Sequence, residues 1–209
     1  MHRQHTLRTT EVFASVQGEG LRAGEPAIFV RLAGCNLRCS FCDTKRAWAR
    51  GRARTVSEIL TEVRSLHRDF PARWACLTGG EPLRQPVAPL IRALRRDGLS
   101  VQVETNGTFA PRPEADWYTV SPKPPDYAAH PLFRRKAREV KLVVSRVLTV
   151  DDVRAVRRAF PPATPVILQP QGNARWSLEK AVRILKEASC QGLGNVRVGL
   201  QLHKIYRLK

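Results

Sequence analysis

The chain reads as an α/β protein built on a mainly parallel sheet, and three observations predict it. Short apolar runs bounded by turn residues alternate with amphipathic helical stretches almost throughout. The polar residues that break this pattern fall at the carboxyl ends of the strands (Cys35, Thr78, Glu104, Ser121, Gln169 and His203), so one face of the fold would collect them. The length, 209 residues, suits one sizeable core and a single domain over 1–209. It falls short of the roughly 250 residues of a complete eight-fold barrel.

Thr10 to Val16 alternates apolar and polar residues as a first strand does. It leads into Gln17-Gly18-Glu19-Gly20, two glycines around a carboxylate, which suits either a plain turn or a close backbone approach to a ligand. Ala27 to Ala33 is a buried strand carrying Arg31. A charge there needs a partner, either a ligand carboxylate in a pocket or a structural ion pair. Lys45 to Arg54 reads as a basic connector. Thr55 or Ser57 caps a helix to about Phe70, with Ile59, Leu60, Val63 and Leu66 on one face. Trp74 to Leu77 is a compact strand, with Cys76 as a small core residue. It ends on Thr78-Gly79-Gly80-Glu81-Pro82, whose paired glycines bare backbone N–H and C=O groups.

A second helix lies within Leu83 to Arg96, starting near Pro86 or Pro89, since proline suits a first turn. Leu99 to Glu104 is a buried strand closing on the Asn106-Gly107 turn. Trp117 to Val120 is a short strand before an exposed, proline-stiffened loop, Ser121-Pro122-Lys123-Pro124-Pro125. There follow a strand over Glu139 to Val144, a helix from Val150 to Phe160, and a strand from Pro165 to Pro170. A helix from Leu178 to Ala188 capped by Ser177 and a last strand over Asn195 to Leu200 complete the set, before Gln201-Leu202-His203-Lys204.

The net charge of +18 is dispersed in short groups such as Arg134-Arg135-Lys136 and Arg157-Arg158. No basic run is interleaved with aromatics, so the expectation is weak adhesion to polyanions at low salt and no specific nucleic-acid partner. No apolar run reaches membrane-span length, and Met1 to His5 lack an apolar signal region. A cytoplasmic protein without a membrane partner is expected, in keeping with cysteines held reduced.

Those cysteines carry the chemistry. Cys35, Cys39 and Cys42 stand in C-x3-C-x2-C spacing on a loop made polar by Asn36, Arg38 and Ser40. Three thiolates on one short loop suit three irons of a [4Fe–4S] cube and leave the fourth iron open to a chelating ligand. Zinc is the alternative, and would draw a fourth ligand from Cys76, Cys190, His67 or His203, all distant in sequence. Asp43 and Thr44, next along the chain, suit a hard cation such as Mg²⁺ or a helix cap.

C-x3-C-x2-C after an apolar strand resembles the signature of the radical S-adenosylmethionine (SAM) enzymes. Adding Gln17 to Gly20, Arg31 to Leu37, Cys42 to Thr44, Thr78 to Pro82, Glu104 to Gly107, Ser121 to Lys123 and Leu202 to Lys204, the chain resembles the 7-carboxy-7-deazaguanine synthases of that superfamily. The resemblance runs from about Glu11 to the C-terminus, and its most specific part is the QGEG tetrad upstream of RLAGCNLRC. It implies a partial (β/α)6-type TIM-like barrel, a homodimer, and reduction by a protein such as flavodoxin or ferredoxin. It also implies a lyase reaction of the queuosine and 7-deazapurine pathways, in which 6-carboxy-5,6,7,8-tetrahydropterin loses ammonia and becomes 7-carboxy-7-deazaguanine. Cys35, Cys39 and Cys42 would hold the cluster and Thr44 the Mg²⁺. SAM would contact Gly80, Ser121, Pro122, Lys123, Gln169, Pro170, Gln171 and Gly172. The pterin would contact Val16, Gln17, Gly18, Glu19, Arg31, Thr78 and the main-chain carboxylate of Lys209. Glu104 and His203 would be further pocket residues, with no catalytic side chain beyond the cluster and SAM. Two rivals are a glycyl-radical-enzyme activase, which gives the QGEG tetrad and Arg31 no task, and a non-enzymatic iron–sulfur or zinc protein that binds nucleic acid.

Overall fold

The computed structural model of the chain describes residues 5–48, 51–112 and 114–208. Thr6–Val16 (β1) begins four residues before the expected strand and pairs antiparallel with Pro26–Leu32 (β2) on one side and Arg52–Thr55 (β3) on the other. From β2 the sheet continues through Trp74–Gly79 (β4), Ser100–Thr105 (β5), Trp117–Val120 (β6), Ala137–Val144 (β7), Val166–Pro170 (β8) and Val196–Val198 (β9). Every pairing in that series is parallel. The result is one open sheet of order β3-β1-β2-β4-β5-β6-β7-β8-β9, a partial barrel with an antiparallel edge.

The helices are Val56–Asp69 (α1), Ala88–Arg96 (α2), Phe133–Lys136 (α3), Val150–Ala159 (α4), Arg175–Cys190 (α5) and Leu202–Ile205 (α6). Thr55 starts α1 through a reciprocal cap: its hydroxyl accepts from the Glu58 amide at 3.2 Å, and the Glu58 carboxylate accepts from the Thr55 amide at 2.6 Å. Thr149 and Asp152 repeat the device on α4. The apolar faces these caps orient, Ile59 and Val63 of α1 and Val153 of α4, are fully buried with Ile28, Val30, Leu77, Val103 and Leu168 of the sheet. Each such side chain contributes about 1.5–3 kcal/mol of burial. Among the described residues no helix bridges β5 and β6, and only the single turn α3 lies between β6 and β7.

Several expectations are corrected. The basic connector contains β3, an edge strand whose arginines suit a sheet margin because charge there resists pairing with another chain. Its Arg54 is held by Glu62 of α1 at 2.6 Å. Ser177 is not a cap. It lies inside α5, where its hydroxyl donates to the Val144 carbonyl at 2.6 Å and accepts from the Gln171 amide at 2.8 Å. The loop after β6 is not exposed at its start: Ser121 and Pro122 are buried, and Lys123 folds back to donate to the Ser121 carbonyl at 2.7 Å. No helix among the described residues is long and apolar enough to cross a membrane.

Candidate active site

The carboxyl ends of the parallel strands open into one cavity of about 290 Å³. Its first wall is the cysteine loop. After β2 the chain leaves at Gly34 and returns to its own start, since the Gly34 amide donates to the Ala47 carbonyl at 2.8 Å and the Cys35 amide to the Trp48 carbonyl at 3.2 Å. Cys35, Cys39 and Cys42 all line the cavity, half-buried and free of disulfides. The Cys35 sulfur accepts from the Leu37 amide at 3.4 Å, and the Cys42 sulfur from the Trp48 indole at 3.2 Å. Burial raises the pKa of Cys35 and Cys39, a direction that a bound cation reverses. Of the proposed fourth zinc ligands, Cys76, Cys190 and His67 stay away from the cavity, and His203 packs on Gly18 instead of joining the thiols.

The paired glycines of β4 seat this loop. A Cβ on Gly80 would lie 2.3 Å from the Gly34 carbonyl oxygen, and one on Gly79, where φ is +124°, 2.0 Å from that of Leu32. The Gly80 and Glu81 amides instead donate to the Leu32 and Gly34 carbonyls at 2.9 and 2.8 Å. Glu81 is wholly buried and ties β4 to β5, accepting from the Leu83 and Asn106 amides and the Thr105 hydroxyl at 3.0, 2.7 and 2.8 Å.

The facing wall is polar. The Lys141 ammonium bridges Glu19 at 2.6 Å and Glu104 at 3.0 Å. Burial opposes the charge on Glu19, but Lys141 and the Gln201 amide at 2.7 Å outweigh it and hold its pKa below the usual carboxylate range. Burial dominates at Glu104, which is raised. Lys141 is buried too, yet its two carboxylates push its pKa well up. Gln17 donates to Gln102 at 3.1 Å and to Glu104 at 3.3 Å. The QGEG tetrad is explained by its packing. A Cβ on Gly18 would lie 2.3 Å from His203 Nδ1, and one on Gly20, at φ +74°, 2.4 Å from the Glu139 carboxylate. Glu139, fully buried behind the site, accepts from the Leu21 amide at 2.6 Å and the Thr119 hydroxyl at 2.7 Å.

Arg31 is half of a structural ion pair, its Nε donating to Glu11 at 2.7 Å, and it also lines the cavity. Val16 and Thr78 line the same space. Thr44 does so as well, and its hydroxyl donates to Asp43 at 3.0 Å, making no helix-capping bond. Lys204 sits 3.0 Å from Asp43. Although burial works against Asp43, this ammonium takes its pKa down to about 2. Glu19, Asp43 and His203 each offer a ligand atom within 4.8 Å of the others.

On the far side Gln169 has both side-chain amide atoms buried without a partner, aimed into a wall it shares with Ser121, Lys123, Pro170, Gln171 and Gly172. Burial and the nearby Lys141 lower Lys123 to about 8. Pro122 is buried but does not line the cavity, and Lys209 lies outside the described residues. Sequence reasoning missed Lys141, Gln201, Lys204 and Glu11. Lys141 carried the same signal as Arg31, a charge within a buried strand.

Comparison with known proteins places this arrangement in context. The Radical SAM superfamily profile matches residues 29–138, more than half of the chain. A 7-carboxy-7-deazaguanine synthase of Bacteroides thetaiotaomicron is 47% identical over 97% of this chain and 98% of its own, and that of Aquifex aeolicus is 37% identical over 97% and 94%. The crystal structure of QueE from Escherichia coli superposes with a TM-score of 0.77 at 28% identity, covering 95% of both chains.

Proposed function

This chain belongs to the 7-carboxy-7-deazaguanine synthases of the radical SAM superfamily, and from that premise we propose how its cavity is divided. The enzyme is a lyase that converts 6-carboxy-5,6,7,8-tetrahydropterin to 7-carboxy-7-deazaguanine with loss of ammonia, in queuosine and 7-deazapurine biosynthesis. The observation that carries the division is the Glu19–Lys141–Glu104 bridge lining the same cavity as the three-cysteine loop.

Cys35, Cys39 and Cys42 would hold the [4Fe–4S] cluster that the superfamily implies. The fit rests on three free thiols carried by one closed loop and all lining the same cavity. SAM would lie along Gly80, Ser121, Lys123 and Gln169 to Gly172, where the orphaned Gln169 amide would find a partner and a side chain at Gly80 has no room. When bound, the cluster and SAM would supply the one-electron and hydrogen-abstraction chemistry of the reaction. The protein's part is to bind, orient and exclude water. Glu19, kept ionised by Lys141, accepts from the N–H edge of the pterin ring. Arg31 lines the cavity while its Nε donates to Glu11, and its planar guanidinium suits the pterin carboxylate. Gln17 and Thr78 complete the ring contacts, and Gln102 and Glu139 hold the tetrad in place.

Mg²⁺ belongs at Thr44, beside the cluster of oxygen and nitrogen donors formed by Asp43, Glu19 and His203. A homodimer is the assembly we propose, with exposed Leu200, Ile205, Tyr206 and Leu208 as contact surface, acting in the cytoplasm with a flavodoxin or ferredoxin as reductant. The substrate assignment is tested by Arg31→Ala. Loss of one charge-assisted contact, about 1.5–3 kcal/mol, raises the KM for the pterin roughly 10- to 150-fold. SAM affinity stays at the wild-type value. An unchanged pterin KM removes Arg31 from the pocket.

A further inference from the structure

Trp48 closes the cysteine loop twice. Its carbonyl accepts from the Cys35 amide at 3.2 Å, and its indole Nε1 donates to the Cys42 sulfur at 3.2 Å. The residue is held for this by its own amide, which donates to the Lys45 carbonyl at 3.1 Å, and Lys45 Nζ lies 5.9 Å from the ring. Of the three thiols, Cys35 has a backbone donor, the Leu37 amide, and Cys42 has this side-chain donor from beyond the loop's last ligand.

We propose that Trp48 sets the reduction potential of the cluster through its N–H···S bond to Cys42. The proposal rests on the assignment of the three cysteines as cluster ligands. A hydrogen bond to a ligating thiolate withdraws electron density from the iron–sulfur unit, so it is stronger when the unit carries one more electron. Reduction is a one-electron transfer from a low-potential carrier protein or from dithionite. No bond is made or broken, and no proton is needed at the sulfur. The indole therefore favours the reduced state and raises the potential. Losing one such bond changes the ratio of reduced to oxidised cluster, at a fixed poise, on the order of tenfold, about 59 mV for a one-electron couple.

The test is an anaerobic redox titration of the reconstituted protein, following the paramagnetic reduced cluster by electron paramagnetic resonance, with iron content measured on the same samples. Trp48→Phe keeps a ring at the site and removes the donor. Its midpoint shifts to more negative potential by roughly that amount, with iron and SAM binding at wild-type levels. Because Phe is also smaller, Trp48 is replaced in parallel by 3-benzothienylalanine, which keeps the bicyclic shape and lacks only the N–H. The same negative shift there supports the proposal. An unchanged midpoint in either fully loaded variant overturns it, and so does loss of iron from the benzothienylalanine protein, which would make the bond a clasp for the loop and not a control of potential. A wild-type protein that takes up no iron fails the cluster assignment itself, a separate result.

Discussion

Replacing Lys141 with methionine strips the cation from between two carboxylates and leaves the surrounding packing largely filled. Lys141 is 7% exposed and lies 2.6 Å from Glu19 and 3.0 Å from Glu104. Removing one partner of a buried ion pair costs about 3–5 kcal/mol, because the remaining charge has neither water nor a counterion. For a chain near 200 residues each kcal/mol moves Tm by roughly 2–4 °C, so the apo protein melts about 6–20 °C lower at neutral pH. The pH dependence carries a second signature. In the wild type Glu19 is lowered and Lys141 raised. The Glu19 contribution is therefore present above the ordinary carboxylate pKa and lost as pH falls through its lowered value. The Lys141 contribution is present below the ordinary lysine value and lost as pH rises through its raised one. In Lys141→Met the two carboxylates lose the ammonium between them and both pKa values rise, so the folded state gains from taking up a proton. The deficit shrinks from pH 8 toward pH 5, and adding Glu104→Gln recovers part of it at neutral pH. Melting by circular dichroism under argon reads all of this. Equal Tm values at pH 7.5, or a deficit that does not change with pH, refute the account of the bridge.

Cys39→Ala leaves two cluster ligands on the loop, and reconstituted protein loses most of its bound iron; iron at the wild-type level refutes the ligand assignment. Gly80→Ala drives a Cβ into the Gly34 carbonyl at 2.3 Å, and equilibrium dialysis reads SAM affinity falling at least tenfold, with wild-type affinity as the contrary result. Tyr206→Glu places a charge on the exposed apolar C-terminal segment, where Tyr206 is 68% exposed. Light scattering then reports monomers in place of dimers; an undisturbed dimer moves the interface elsewhere.

Much of the fold was legible because its signals are local. Apolar runs ending in glycine marked β4 and β5, and Thr55, one of two caps the sequence offered, marked the start of α1. β3 was not legible, since Arg-Ala-Arg-Thr has no apolar face and is a strand only because β1 offers it an edge. Ser177 resembled a cap, but tertiary hydrogen bonds to Val144 and Gln171 claimed its hydroxyl. The site was legible where chemistry is compressed into motifs: the cysteine spacing, the tetrad and the paired glycines. Lys141 and Gln201 have no motif. They belong to the site because β7 and the segment before α6 bring them to Glu19 from far along the chain, and only the fold determines that distance.

The central claim is a carbon–nitrogen bond cleavage that yields 7-carboxy-7-deazaguanine. The measurement that reaches it most directly is an anaerobic reaction of reconstituted protein with SAM, dithionite, Mg²⁺ and 6-carboxy-5,6,7,8-tetrahydropterin, in which 7-carboxy-7-deazaguanine is counted by mass spectrometry and ammonium enzymatically in the same sample. The account predicts the two in equal amounts, and neither when SAM or the reductant is left out. Accumulation of 5′-deoxyadenosine with neither product nor ammonium would contradict it.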